Sequence, residues 1–140
     1  MAKIANVEVP PFRFRLDTES GVPVYRQIID QVHRAIATGL LKVGDQIPTV
    51  RQVAVDLAIN PNTVLRAYRE MEIRGTVDTQ QGSGTFIAEN RAEDSGGERE
   101  RQIAQLVGEF VSRAGAAGFS VEQLIKALRD QPSETGSKRR

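Results

Sequence analysis

Thr49-Val50-Arg51-Gln52-Val53-Ala54-Val55-Asp56-Leu57-Ala58-Ile59-Asn60-Pro61-Asn62-Thr63-Val64-Leu65-Arg66-Ala67-Tyr68-Arg69-Glu70-Met71-Glu72-Ile73-Arg74-Gly75 is the run that decides the fold. Its first four residues fit a capping box, in which the Thr49 hydroxyl and the Gln52 amide each satisfy an orphan backbone donor at a helix start. Val50, Val53, Ala54 and Leu57 then fall inward, while Arg51, Gln52 and Val55 do not. That predicts a helix of about two to three turns. Ala58-Ile59-Asn60 is a tight break. Asn60 suits an N-cap, and Pro61 suits the first position of a further helix. On a wheel of about 100° per residue, Val64, Ala67, Tyr68 and Met71 share one side. Asn62, Arg66, Arg69 and Ile73 lie opposite, with Thr63 on the flank. Gly75 closes the helix where a left-handed residue costs little.

Working outward, Pro23 opens an earlier helix whose stripe is Tyr25, Ile28, Ile29, Val32 and Ile36 and whose end is Gly39. Leu40, Leu41 and Val43 lead to Gly44-Asp45, a turn pair. Residues 1–22 are read as an N-terminal extended arm. Within it Phe12, Phe14 and Leu16 alternate with Arg13 and Arg15, the pattern of a short strand or extended chain. On the other side, residues 76–80 and 85–88 read as a hairpin with the tip Gln81-Gly82-Ser83-Gly84. Helix, short helix, tight turn, amphipathic third helix and hairpin over residues 23–90 are the layout of a winged helix-turn-helix domain. Residues 91–97 read as a polar linker, 98–131 as two helices and 132–140 as a disordered tail. Ile103, Leu106, Val107, Phe110, Val111 and Ala114 form one broad apolar stripe, broken by Gly115 to Gly118. Ser120 to Gln123 is another capping box, with Phe119 and Leu124 in the staple positions. Val121, Leu124, Ile125 and Leu128 continue the apolar face. Two such helices have nothing of their own to close over, so they must pack on the first domain or on another chain; the second case makes residues 98–131 a dimerisation region. The expected fold is therefore mostly α with a small β-hairpin, a winged helix-turn-helix domain followed by a two-helix segment.

Composition narrows the chemistry. The chain has 140 residues, 19 Lys+Arg against 18 Asp+Glu, and a net charge of +1, so no bulk positive field marks a nucleic-acid binder. Residues 23–90 hold seven of each sign, so local placement has to decide. There is no cysteine, which removes disulfides, thiolate catalysis and Cys-based zinc sites. A single histidine, His33, leaves no multi-His metal site, and no titratable cluster resembles a catalytic constellation. The expectation is a protein that is not an enzyme, with no metal and no cofactor. The start lacks the apolar run of a signal peptide, and no stretch approaches a membrane span, so a cytoplasmic protein without a membrane partner is expected.

The polar side of the third helix carries the functional reading. An α-helix fits the major groove, where Asn62 can read adenine bidentately and Arg66 or Arg69 can read guanine or hold a phosphate. Thr63 sits near the helix N-terminus, suited to a phosphate oxygen. Arg51 is placed to grip backbone or a base edge, and the small tip Gln81, Gly82, Ser83 and Gly84 can enter a minor groove. Pro23 to Ile28, Gly44 to Gln52, Asn60 to Tyr68 and Gly82 to Ile87, in that order, resemble the N-terminal DNA-binding domain of the GntR family of bacterial transcription regulators, over residues 12–88. The Asn-Pro-Asn-Thr-Val string, the later Ala67-Tyr68 and the short C-terminal part are most similar to the YtrA-type subfamily, in which two dimerising C-terminal helices replace a large effector-binding domain. The resemblance implies that Arg51 contacts DNA, that Asn62 and Thr63 open the recognition helix and that Gln81 and Gly82 lie at a wing entering the minor groove. Some relatives have arginine where this chain has Leu65, so which recognition-helix arginine reads a base stays open.

The expected function is a sequence-specific DNA-binding regulator, a repressor in form. It would bind a pseudo-palindromic double-stranded operator as a homodimer through Ile103, Leu106, Val107, Phe110, Val111, Leu124, Ile125 and Leu128. A small-molecule effector at the linker is a further partner the layout allows, with movement of the dimer helices as the other route to control. The alternative is a winged-helix adaptor that binds protein and not DNA. In an adaptor the polar face would lose its arginines or turn acidic, and here it keeps Arg51, Asn62, Thr63 and Arg66. For Arg66 and Arg69 the bland reading is a solvated face paired with Glu70 and Glu72.

Overall fold

The computed structural model describes residues 12–89 and 97–131. Most of the expected linker, the tail and the first eleven residues of the arm lie outside that range. The chain divides into two units, residues 1–90 and 91–140.

In the first unit, α1 (Val24–Thr38), α2 (Val50–Leu57) and α3 (Pro61–Ile73) pack beside a small sheet. α1 follows Pro23 and ends at Gly39, whose φ of +84° is the left-handed conformation a glycine adopts cheaply. Its inward residues are Ile28, Ile29, Val32 and Ala35. The expected Ile36 is exposed, because Ala35 fits the closely packed inward position one step round the wheel. α2 opens on the Thr49–Gln52 capping box, formed in both directions. α3 opens on Asn60, whose side chain accepts from the Asn62 N–H. The turn between them closes by backbone hydrogen bonding: the Ile59 N–H donates to the Ala54 carbonyl at 3.0 Å. The left-handed residue this requires is Ala58, with φ +55°. α3 closes in the same way, with the Thr76 N–H on the Met71 carbonyl at 2.8 Å and Gly75 at φ +83°.

The sheet has three antiparallel strands, in the order β1 (Gln46–Ile47), β3 (Gly84–Ile87), β2 (Val77–Gln80). The hairpin is thus joined by a third strand that the sequence pattern does not predict. Gln46 lies opposite Phe86 and Ile47 opposite Thr85. Pro48 holds Ile47 extended, which places a short segment against the free edge of β3. The alternating arm is no strand among its described residues. Its backbone is instead tied to α1 by two glutamines one turn apart. Gln31 accepts from the Arg15 N–H at 2.9 Å and donates to its carbonyl at 2.7 Å. Gln27 does the same to Asp17, at 2.8 and 3.0 Å, and also donates to the Val22 carbonyl. These side-chain amides do what a neighbouring strand would do. The arm's Phe14 joins the core with Ile28, Ile29, Val32, Ile47, Val53, Val64, Ala67, Met71 and Val77.

The second unit is α4 (Glu98–Ala116) and α5 (Val121–Arg129). Glu98 and Glu100 in the first turn of α4 and Arg113 in its last complement the helix dipole. α4 ends on Gly118 at φ +90°, with the Phe119 N–H on the Ala114 carbonyl at 2.9 Å. The Ser120–Gln123 capping box starts α5. Among the described residues of this unit, Ala114 alone is a buried hydrophobe.

Candidate nucleic-acid interface

α3 is held in place by the side facing inward. Val64, Ala67, Tyr68 and Met71 are buried against α1, α2 and β2. Tyr68 donates its hydroxyl to the Pro48 carbonyl, which couples α3 to the start of α2. Burial pushes its ionisation well above the usual tyrosine range, so the hydroxyl stays a neutral donor committed to the core and does not reach outward. By elimination the opposite side, with Asn62, Arg66 and Arg69, faces outward, and all three are exposed. Thr63 is half-buried on the flank. Backbone N–H groups at this end are already used: Asn62's by the Asn60 side chain, and Thr63's by the Asn60 carbonyl at 3.0 Å. The helix start therefore offers the Thr63 hydroxyl more than free backbone donors.

The cationic groups differ in how firmly they are held. The Arg66 guanidinium lies 3.7 Å from the centroid of the Tyr25 ring on α1. Arg51, in the first turn of α2, and Arg69 are exposed and make no ion pair among the described residues. Glu70 pairs with Arg74 at 3.5 Å, one turn on, in the Glu-before-Arg order that suits the helix dipole. The face of α3 is thus not neutralised by the expected pairing of Arg66 with Glu70.

Gln81, Gly82 and Ser83 form the exposed turn between β2 and β3, closed by the Ser83 N–H on the Gln80 carbonyl at 2.9 Å. Gly84 belongs to β3 and not to the tip. A Cβ there would lie 2.3 Å from the Gln46 side-chain nitrogen. That nitrogen donates to the Ser83 carbonyl at 3.1 Å, so Gln46 clasps the tip from β1 and glycine leaves it room. Gln46, Tyr25 and the Gln27–Gln31 pair are supporting residues that sequence reasoning missed. The signal for β1, and with it for Gln46, was Pro48, which keeps the preceding Ile47 extended. His33 is an exposed α1 residue with its Nε2 3.3 Å from the Thr76 hydroxyl. No group of metal-ligating side chains occurs among the described residues, and none of the described helices is long and apolar enough to cross a membrane.

In the second unit the wheel gathers Ile103, Leu106, Val107, Phe110 and Val111 on one side of α4, and Val121, Leu124, Ile125 and Leu128 on one side of α5. Leu106 is 66% exposed and Ile103 60%. Val111 and Leu124 are half-buried, and the others are exposed.

Residues 24–87 match the family model described as bacterial regulatory proteins, gntR family. The HTH-type transcriptional repressor YtrA of Bacillus subtilis is 34% identical over 116 residues, covering 83% of this chain and 89% of its own. Among solved structures, a transcriptional antiterminator from Listeria monocytogenes superposes with a TM-score of 0.64 at 28% identity, over 86% of this chain and 90% of that one. YtrA from Sulfolobus acidocaldarius, a GntR-family transcription factor, gives 0.50 at 29% identity, over 83% and 93%.

Proposed function

The chain belongs to the GntR family of bacterial regulatory proteins, and from that premise we propose that it is a homodimeric, sequence-specific repressor that reads a pseudo-palindromic operator. The observation that carries this reading is the outer side of α3, where Asn62, Arg66 and Arg69 stand exposed beside a core that fixes the helix. In the proposed complex α3 lies in the major groove. Asn62 and Arg66 contact base edges, Arg51 and Arg69 hold phosphates, and the Thr63 hydroxyl takes a phosphate oxygen. Gln81, Gly82 and Ser83 approach the minor groove, with Gly84 giving the tip its clearance. The apolar faces of α4 and α5 pair with those of a second copy. Two domains then cover two half-sites, which one small domain with few base contacts needs for specificity. Occupying the operator is what a repressor does, and the relative named YtrA is a repressor.

Selection of bound duplexes from a random DNA pool tests the reading. It predicts two inverted half-sites with centres about one helical turn apart, or a multiple of it. A pool with no enriched sequence overturns it and favours the adaptor.

A further inference from the structure

We infer that Tyr25 is a positioning residue for sequence readout: its ring is the platform that holds the Arg66 guanidinium for a base edge, which makes Arg66, and not Arg69, the base-reading arginine of α3. The inference rests on the DNA-binding reading above.

Three arginines were candidates for base contact, and the structure treats them differently. The Arg66 guanidinium carbon lies 3.7 Å over the Tyr25 ring centroid; among the described residues Arg51 and Arg69 have no such support. A long side chain free to rotate loses entropy when it engages a base, whereas one already laid on a ring loses less. A guanidinium resting on a ring also keeps N–H donors that point away from it, open for a bidentate contact. An unsupported arginine suits a phosphate, which accepts donors from many directions and asks for less geometric precision.

The platform is itself anchored. Tyr25 is half-buried and packs on the core. It lies between Val22, whose carbonyl accepts from Gln27 at 2.9 Å, and Gln27 itself, which also grips Asp17 from both sides. The chain entering α1 is therefore tied down within three residues of the ring. Glu70, the carboxylate on Arg66's own helix that could draw it off the ring, is engaged by Arg74.

The test uses the full chain and the duplex that the wild type selects, with every base pair of one half-site varied in turn. Arg66→Ala loses discrimination at one base pair. Tyr25→Leu, which removes the π face and keeps an apolar side chain, weakens preference at that same pair about 2–5-fold, the range for an exposed cation–π contact. Tyr25→Phe stays within about twofold of wild type. Tyr25→Leu adds nothing in the Arg66→Ala background. Proton NMR without DNA gives the independent readout. The Arg66 side-chain protons show an upfield ring-current shift in the wild type and in Tyr25→Phe, and none in Tyr25→Leu. Tyr25→Leu with the full base preference overturns the inference, as does an equal loss on all sequences or a loss additive with Arg66→Ala. A wild type that selects no duplex overturns the DNA reading and this inference together, even with the ring-current shift present.

Discussion

In the first unit Ile28, Ile29 and Ile47 are almost wholly buried, whereas Ile103 and Ile125 in the second are exposed. Both units have helices with one apolar side, so helical pattern alone does not separate them. The difference lies in what each side can close on. α1, α2 and α3 enclose one another, and the sheet and the arm's Phe14 fill the remaining gaps. Among the described residues of their own unit α4 and α5 have no third layer, and two helices cannot cover two stripes. Burying a large aliphatic side chain contributes about 1.5–3 kcal/mol. Several left in water on one side are a standing drive to associate, and patches of that kind mark interaction sites. The apolar residues of the first unit hold the outward side of α3 in place, and those of the second stand exposed, as the proposed dimer requires.

The most forceful way to break that contrast is a charge in the stripe. Phe110→Glu should leave the first unit folded, turn the chain into a monomer by sedimentation and weaken binding to the selected duplex by about 10²–10⁴-fold, the avidity lost when two linked sites become one. Unchanged affinity would dissolve the division between the units. Next, Ile28→Ala should cost about 2–5 kcal/mol of stability at every protein concentration. Ile103→Ala should act only through a concentration-dependent midpoint, so denaturant titrations at two concentrations separate the two. Arg66→Ala, on the outward side of α3, should weaken specific binding by about 1–3 kcal/mol and relax one position, with cooperative unfolding retained. The smallest effect sharpens the account of the helix turn. Ala58 holds a left-handed φ that costs an L-residue about 1–2 kcal/mol. Ala58→Gly removes that strain but adds unfolded-state entropy. A net gain of up to about 1 kcal/mol is expected, read from the shift in denaturant midpoint.

Much of the first unit was legible because its signals are local. Thr49 and Gln52, Asn60 and Pro61, Gly75 and the 3.6-residue period are all read within a few positions, and each stands where the pattern puts it. What stayed hidden depends on partners distant in sequence. β1 is two residues long and exists because β3, about forty residues on, offers it an edge. The arm's alternation looked like a strand, but Gln27 and Gln31 serve its backbone in place of one. The stack of Arg66 on Tyr25 joins residues forty-one positions apart, so no window on α3 could have ranked its arginines. In the second unit the helices and their caps were readable for the same local reason. The partner proposed for their apolar faces is a second chain, which no local pattern shows.

Sedimentation equilibrium of the full chain, alone and on the selected duplex, decides whether the second unit joins two copies. Two chains per particle are expected in both states, one for each half-site. A single chain at tens of micromolar that still binds the duplex as one chain, with undiminished affinity, would contradict the proposed dimer.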